Sequence, residues 1–357
     1  MKRSEIAKTT ALASATISTP YINLGKAQEE LILGHDKFKY RIVENWGVDN
    51  LVNTPVADCH EMVQDSKKRL IFCTTEVKNN IVVLDKSGKL ICTWGNDFPG
   101  VHGLTLNNAN GEEFLYLTDT AKNEVYKTTL DGKVVLTLKY PWESGVYNDP
   151  EKVPFVPTET AIAPNGDIYV ADGYGSSYIL VYDAKGGFKN IFAGRTAEGE
   201  QKLMQAHGVS IDSRDKNNVR VIATSREQCA FKFYSLDGKH QESHYYEGSF
   251  VCRPVFKGEN LYFPVIWSEF ANGVDGGPAW QSRTGYFLVF DKNNRLISAP
   301  GVDNIELASG KPKHMHQSAK VKGVFMHCHD LCVDDEDSIY IPQWNSGKTF
   351  PLKLERV

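Results

Sequence analysis

From about residue 55 to residue 345, apolar and polar positions alternate in short runs, and no stretch of useful length keeps a 3.6-residue period. Alternation of this kind predicts strands with one face buried. The runs fall into a recurring unit made of a polar or His residue, an alternating strand, a turn, and a second strand ending in a small polar residue. Six copies begin at His60 (HEMVQDSKKRLIFCT), His102 (HGLTLNNANGEEFLYLTD), Thr158 (TETAIAPNGDIYVAD), His207 (HGVSIDSRDKNNVRVIATS), near Cys252 (CRPVFKGENLYFPV) and at His329 (HDLCVDDEDSIYIPQ). A second hairpin follows in EVYKTTLDGKVVLTL, ILVYDAKGGFKNIF, FKFYSLDGK and YFLVFDKNNRLIS, where Asp-Gly, Gly-Gly or Asn-Asn supplies the turn. Four strands per unit make a propeller blade, so the pattern predicts an all-β, six-bladed β-propeller with four-stranded blades. FKYRIVE near the start is predicted to pair with FPLKLERV at the end, closing the ring so that no edge stays open.

Composition narrows the function. The chain has 357 residues, 41% of them hydrophobic and 24% charged, which excludes collagen-like, coiled-coil and wholly disordered classes. A net charge of −4 provides no basic field for phosphates and excludes a nucleic-acid partner. Seven cysteines without a CxxC pair read as small buried apolar groups and not as a disulfide framework or a thiolate zinc knot. Residues 1–30 differ in kind from the propeller, residues 31–357. Lys2-Arg3 and the small-residue segment behind it resemble a degraded twin-arginine export signal, with a disordered tail as the other reading. Export to the periplasm or outside the cell is therefore expected, and cytoplasmic residence is the alternative. The uncharged stretch Thr9–Gly25 is too polar and too short to span a bilayer, so no membrane span is expected. Two segments exceed a blade, Tyr140–Val156 and Glu269–Thr284 together with Val302–Val324, and are expected to form long loops over one mouth of the propeller.

The residue that starts the innermost strand of each blade sits near the axis, so equivalent positions converge. Four of the six are histidines: His60, His102, His207 and His329. Imidazoles converging without thiolates suit a borderline divalent metal, and three His with an open fourth position is the catalytic zinc arrangement. The alternative is that each imidazole caps its strand by bonding a neighbouring carbonyl. His314, His316 and His327 lie outside the repeat and read as surface or loop residues.

FPGVHGLTLNN…LYLTDTAKNEVYK, PTETAIAPNGDIYVADGYGSS, AHGVSIDSRDKNNVRVIATSRE and CHDLCVDDEDSIYIPQW resemble successive blades of the peptidyl-α-hydroxyglycine α-amidating lyase family, six-bladed propellers of the NHL-repeat kind. The likeness spans roughly residues 55 to 345. It implies zinc held by His102, His207 and His329, and a structural calcium on backbone carbonyls and one Asp, at Leu104 and Asp330. It further implies a catalytic Tyr174 in Asp172-Gly173-Tyr174 and a catalytic Arg226 in Thr-Ser-Arg-Glu. A second active-site Arg should follow the LIF of the first blade, where this chain has Thr74, and His60 is additional to the family's zinc ligands, which leaves a fourth ligand or a substrate contact open for it. From the residues alone, Tyr174 also reads as a packed tyrosine, Arg226 as an ion-pair partner of Glu227 or of a neighbouring blade's Asp, and Asp330 as a turn cap. Two functions follow as expectations: a metal-dependent lyase or hydrolase acting on a small polar or peptide-like substrate, or an NHL-type scaffold for a protein or glycan, with His60 closing the metal's coordination. A lactonase of the gluconolactonase kind is disfavoured, because its axial calcium is ringed by Glu, Asp and Asn.

Overall fold

The computed structural model describes residues 31–268, 284–302 and 324–357. These form six antiparallel sheets arranged as the blades of a propeller, the architecture expected from the repeat. The innermost strands are Cys59–Gln64, Val101–Ala109, Glu159–Ile162, Val209–Asp212, the broken pair Ser249–Val251 and Val255–Lys257, and Cys332–Val333. The broken pair both align on the long strand Asn260–Ser268, and Cys252-Arg253-Pro254 bridges the gap between them.

The burial pattern explains the sequence pattern. In the first blade the middle strands Leu70–Thr74 and Ile81–Leu84 are buried at every position, because neighbouring blades cover both of their faces. They read as continuous apolar runs. The outer strand Leu90–Trp94 has no neighbour beyond it and stays largely exposed. The core is accordingly a set of seams between blades rather than one centre. Ile222, Phe231 and Phe233 of blade four interdigitate with Phe263, Leu288 and Phe290 of blade five, and Met62 and Phe72 of blade one pack on Cys332 and Tyr340 of blade six. The predicted hairpin turns hold: Gly132, Gly186, Gly238 and Asn294 all adopt positive φ.

Blade six is built from both ends of the described chain. Phe38–Val43 pairs antiparallel with Leu352–Arg356, with Tyr40 opposite Arg356 and Val43 opposite Lys353, and Ile32–His35 forms the outer edge. The predicted ring closure is present. Six cysteines are buried as expected, and Cys92, on the outer strand of blade one, is exposed. Among the described residues no helix is long and apolar enough to cross a membrane.

One expectation is corrected. His327 lies in an irregular segment but not at the surface: it is 1% exposed, its Nδ1 lies 3.1 Å from the Trp344 carbonyl, and its ring packs edge-on against Trp267 and Trp344. Two large indoles nearby supply enough apolar cover to bury an imidazole that already has a carbonyl partner. His314 and His316 lie outside the described residues, as do most of the segments 269–284 and 302–324 and the export-like segment.

Candidate metal centre and active site

Each axial histidine stands at or just before the start of an inner strand, and the glycine after two of them permits the close approach of the blades. A Cβ on Gly103 would lie 2.7 Å from the Thr158 carbonyl oxygen of the next blade, and one on Gly208 would lie 2.7 Å from Cα of Arg253. The His-Gly pairs of blades two and four are therefore a packing requirement as well as a source of ligands.

The four imidazoles meet. Nε2 of His102 lies 3.1 Å from Nε2 of His329 and 3.2 Å from Nε2 of His207, and Nδ1 of His60 lies 3.3 Å from Nε2 of His329. All four rings are buried, and burial holds each below the ordinary histidine range: His60 down to about 4, the other three well below, with neighbouring imidazoles and the Arg226 charge adding to the shift in His102, His207 and His329. They are neutral at pH 7.

Two tautomers follow from the neighbours. Nδ1 of His102 lies 2.9 Å from the Thr158 carbonyl oxygen and Nδ1 of His329 3.0 Å from that of His60. A carbonyl only accepts, so both Nδ1 atoms carry the proton and donate, which leaves a bare lone pair on each Nε2. Two lone pairs 3.1 Å apart with no proton between them repel, and a cation between them relieves the repulsion. The spacing suits one: ligands about 2.05 Å from a tetrahedral zinc are separated by about 3.3 Å. The carbonyl acceptors behind His102 and His329 are the outer partners that ordinarily orient metal-bound imidazoles. His60, His102 and His329 form a group able to hold a metal, their ligand atoms all within 4.8 Å of one another. His207 is not of that group and adjoins it through His102, Nε2 to Nε2 at 3.2 Å.

Tyr174 completes this cluster. Its hydroxyl lies 3.1 Å from Nε2 of both His102 and His207. The residue is 41% exposed, yet its hydroxyl end is enclosed, and burial pushes the phenol above its ordinary value while the hydrogen-bonded Arg226 guanidinium pulls it back. The turn carrying Tyr174 is held by Asp172, whose carboxylate accepts from the Val156 N–H at 2.6 Å, the Ser176 N–H at 2.5 Å and the Tyr147 hydroxyl at 2.6 Å. Tyr147 and Val156 belong to the long segment Tyr140–Val156, which therefore braces the Tyr174 turn at the histidine end of the axis.

Arg226 is 2% exposed and donates to Cys252 Sγ at 2.8 Å. Its sequence neighbour Glu227 pairs instead with Arg195, at 3.1 Å. Thr74 is fully buried, and its hydroxyl accepts from the Ala57 N–H at 2.9 Å, a strand-end role that brings no positive charge to the site. Leu104 and Asp330 lie one layer away from the imidazoles, where both contact the guanidinium of Arg253: the Leu104 carbonyl at 2.9 Å, the Asp330 carboxylate at 2.6 and 3.0 Å.

Several residues of this neighbourhood escaped the sequence reading. Cys252 fills the axial column of blade five, and Glu61, Glu159 and Arg253 occupy the column that follows it. The signal was available, since aligning the six copies by their axial residue aligns the next residue as well.

The fold and this site define a six-bladed propeller with a histidine-lined axis, and comparison with known proteins adds a direction. No protein-family model matches the chain. It is 33% identical over 153 residues to a probable peptidyl-α-hydroxyglycine α-amidating lyase of Caenorhabditis elegans, covering 42% of each protein. It is 37% identical over 114 residues to peptidyl-α-hydroxyglycine α-amidating lyase 1 of Drosophila melanogaster, covering 30% of this chain and 20% of that one. The matched region thus spans less than half the length of either curated relative. Among solved structures, a gluconolactonase of Xanthomonas campestris superimposes with a TM-score of 0.54 at 10% identity, covering 93% of this chain and 98% of that one, a likeness of fold. The chain is a β-propeller similar in sequence to the α-amidating lyases, as its blade motifs led one to expect.

Proposed function

We propose that this protein is a metal-dependent lyase, or a hydrolase of related mechanism, that cleaves a small polar or peptide-like substrate at the propeller axis, with zinc held by His102, His207 and His329. The observation that carries the reading is the 3.1 Å approach of the Nε2 atoms of His102 and His329, each ring having its Nδ1 on a carbonyl oxygen. When bound, such an ion supplies Lewis acidity to a substrate oxygen.

The rest is the work of the protein's own groups. By analogy with the curated relatives, the substrate class is an N-acyl-α-hydroxyglycine. Its cleavage breaks the hydroxyl O–H and the C–N bond, forms a C=O and an N–H bond, and yields an amide and an α-oxo acid. One proton therefore travels from the hydroxyl to the departing nitrogen. Tyr174 is the group suited to carry it, because its hydroxyl stands among His102, His207 and Arg226 and can give one proton as it receives another. Arg226 is the cation that offsets negative charge at the phenol and at a substrate carboxylate, a task that falls to it without help from Thr74. The export-like segment at Lys2-Arg3 supports a location outside the cytoplasm.

His60 supports a second reading. With Nδ1 3.3 Å from Nε2 of His329, it can close the coordination of an ion and make the centre structural, as a protein- or glycan-binding scaffold would need. Turnover separates the two. Metal-loaded protein should release glyoxylate from an N-acyl-α-hydroxyglycine above the spontaneous rate, and Tyr174→Phe should lower kcat by about 10²- to 10⁴-fold with the metal retained. Absence of turnover across lyase and hydrolase substrates, with metal fully loaded, would leave the scaffold.

A further inference from the structure

The residue following each axial position reads, around the ring, Glu61, Gly103, Glu159, Gly208, Arg253 and Asp330. The glycines leave space, and the four charged side chains fill it. Arg253, 8% exposed, donates to Asp330 at 2.6 and 3.0 Å, to the Leu104 carbonyl at 2.9 Å and to the Met62 carbonyl at 3.1 Å. It also lies 3.3 Å from Glu61 Oε2 and 3.8 Å from Glu159 Oε2.

We infer that the Arg253 guanidinium is a built-in substitute for the structural calcium that resemblance assigns to Leu104 and Asp330, so that the axis of this propeller is closed by an arginine and takes no calcium. The oxygens that would hold the ion are engaged. Calcium needs six to eight oxygens at about 2.3–2.6 Å, whereas here two carbonyls and one carboxylate surround a planar guanidinium at ordinary hydrogen-bond distances, the geometry for which its fork of donors is suited. Both cations cannot occupy the space. The acidic residues on this axis face an arginine already in place: Asp330 forms the close ion pair with Arg253 at 2.6 Å, while burial pushes the Glu61 carboxyl well above the ordinary carboxylate range, toward its neutral form. Arg253 also acts as a plug. Beyond it a cavity of about 400 Å³ opens, lined by Met62, Thr105, Val209, Phe256 and Val333, and none of the four histidines reaches that cavity.

The inference holds whatever reaction the histidine centre performs, and its test reads stability and calcium binding, not activity. Wild-type protein is unfolded thermally in excess EGTA and in millimolar CaCl₂, and titrated with CaCl₂ by calorimetry. The expected result is no calcium binding and midpoints that agree within about 1 °C. A rise of about 3 °C or more in calcium, or one calcium bound per chain, would overturn the proposal. Arg253→Gln, which removes the charge and leaves every oxygen, should acquire what the wild type lacks: a lower midpoint in EGTA and a rise of several degrees in calcium. A folded Arg253→Gln indifferent to calcium would contradict the claim that the guanidinium fills a cation's place. Should Arg253→Gln not fold in either medium, Arg253→Lys decides, being expected to fold equally well with and without calcium; a calcium requirement there would again refute the substitution.

Discussion

Gly208→Ala isolates the packing requirement behind the histidine column. The backbone at Gly208 is not in the left-handed region, so alanine adopts it without torsional strain, and the whole effect comes from the added methyl. That methyl would stand 2.7 Å from Cα of Arg253, 2.9 Å from the Cys252 carbonyl oxygen and 3.0 Å from the Arg253 nitrogen. All three are backbone atoms of the next blade and cannot rotate away. Restoring an ordinary contact of 3.4 Å requires blades four and five to part by about 0.7 Å at the axis. Overpacking of this kind costs about 1–3 kcal/mol, which in a chain of this size lowers Tm by several degrees. Because His207 precedes the glycine, the same shift should loosen the 3.2 Å contact of His207 with His102. Gly187→Ala is the matched control: its methyl would also meet an atom at 2.7 Å, but that atom is Asp183 Oδ2, at the end of a side chain and not in the backbone, so the expected cost is at most the turn hydrogen bonds that Asp183 Oδ1 accepts from the Lys185 and Gly187 N–H groups, about 1 kcal/mol. Urea unfolding of both variants decides. Equal stability of Gly208→Ala and wild type, or an equal loss in Gly187→Ala, would refute the reading of the His-Gly motif.

Tyr147→Phe removes the 2.6 Å donor to Asp172, whose carboxyl burial pushes up to about 7, and should cost about 1–3 kcal/mol of unfolding free energy, most above pH 7 where Asp172 is ionised, with a fall in activity as the Tyr174 turn loosens; wild-type stability would contradict the bracing role given to Tyr140–Val156. Glu200 is held down to about 2 by hydroxyls of Ser243 and Tyr245 and by Lys232. A depressed carboxylate stabilises the fold above its unfolded value of about 4.5 and ceases to do so as pH falls toward 2, so Glu200→Gln should flatten the acid limb of stability between those pH values, measured as Tm against pH. Glu227→Gln breaks the exposed pair with Arg195, and should change stability by less than about 1 kcal/mol and activity by less than twofold; a large loss of activity would return Glu227 to the role of partner for Arg226.

The architecture was legible because propeller blades repeat. The hairpin turns, the buried middle strands and the closure by FKYRIVE and FPLKLERV each leave a local mark in the sequence, and local marks survive without knowledge of distant contacts. The histidine column was legible for the same reason. What was not legible depends on how neighbouring blades meet. Arg253 follows a cysteine in a strand broken after Val251, and its meaning lies in oxygens contributed from Met62, Leu104 and Asp330, three blades distributed along the chain. His327 was misread because its cover comes from Trp267 and Trp344, both remote in the repeat. The alternative pairing of Arg226 with Glu227 is absent because the two adjacent side chains point apart, one toward Cys252 and the other toward Arg195.

The central claim is that His102, His207 and His329 converge on a metal. Elemental analysis by plasma mass spectrometry of purified protein, beside a His102→Ala/His207→Ala variant shown to be folded by circular dichroism, tests it most directly. About one zinc or other transition-metal ion per wild-type chain is expected, and none in the variant. No metal in the wild type even after reconstitution, or equal metal in both proteins, would contradict it.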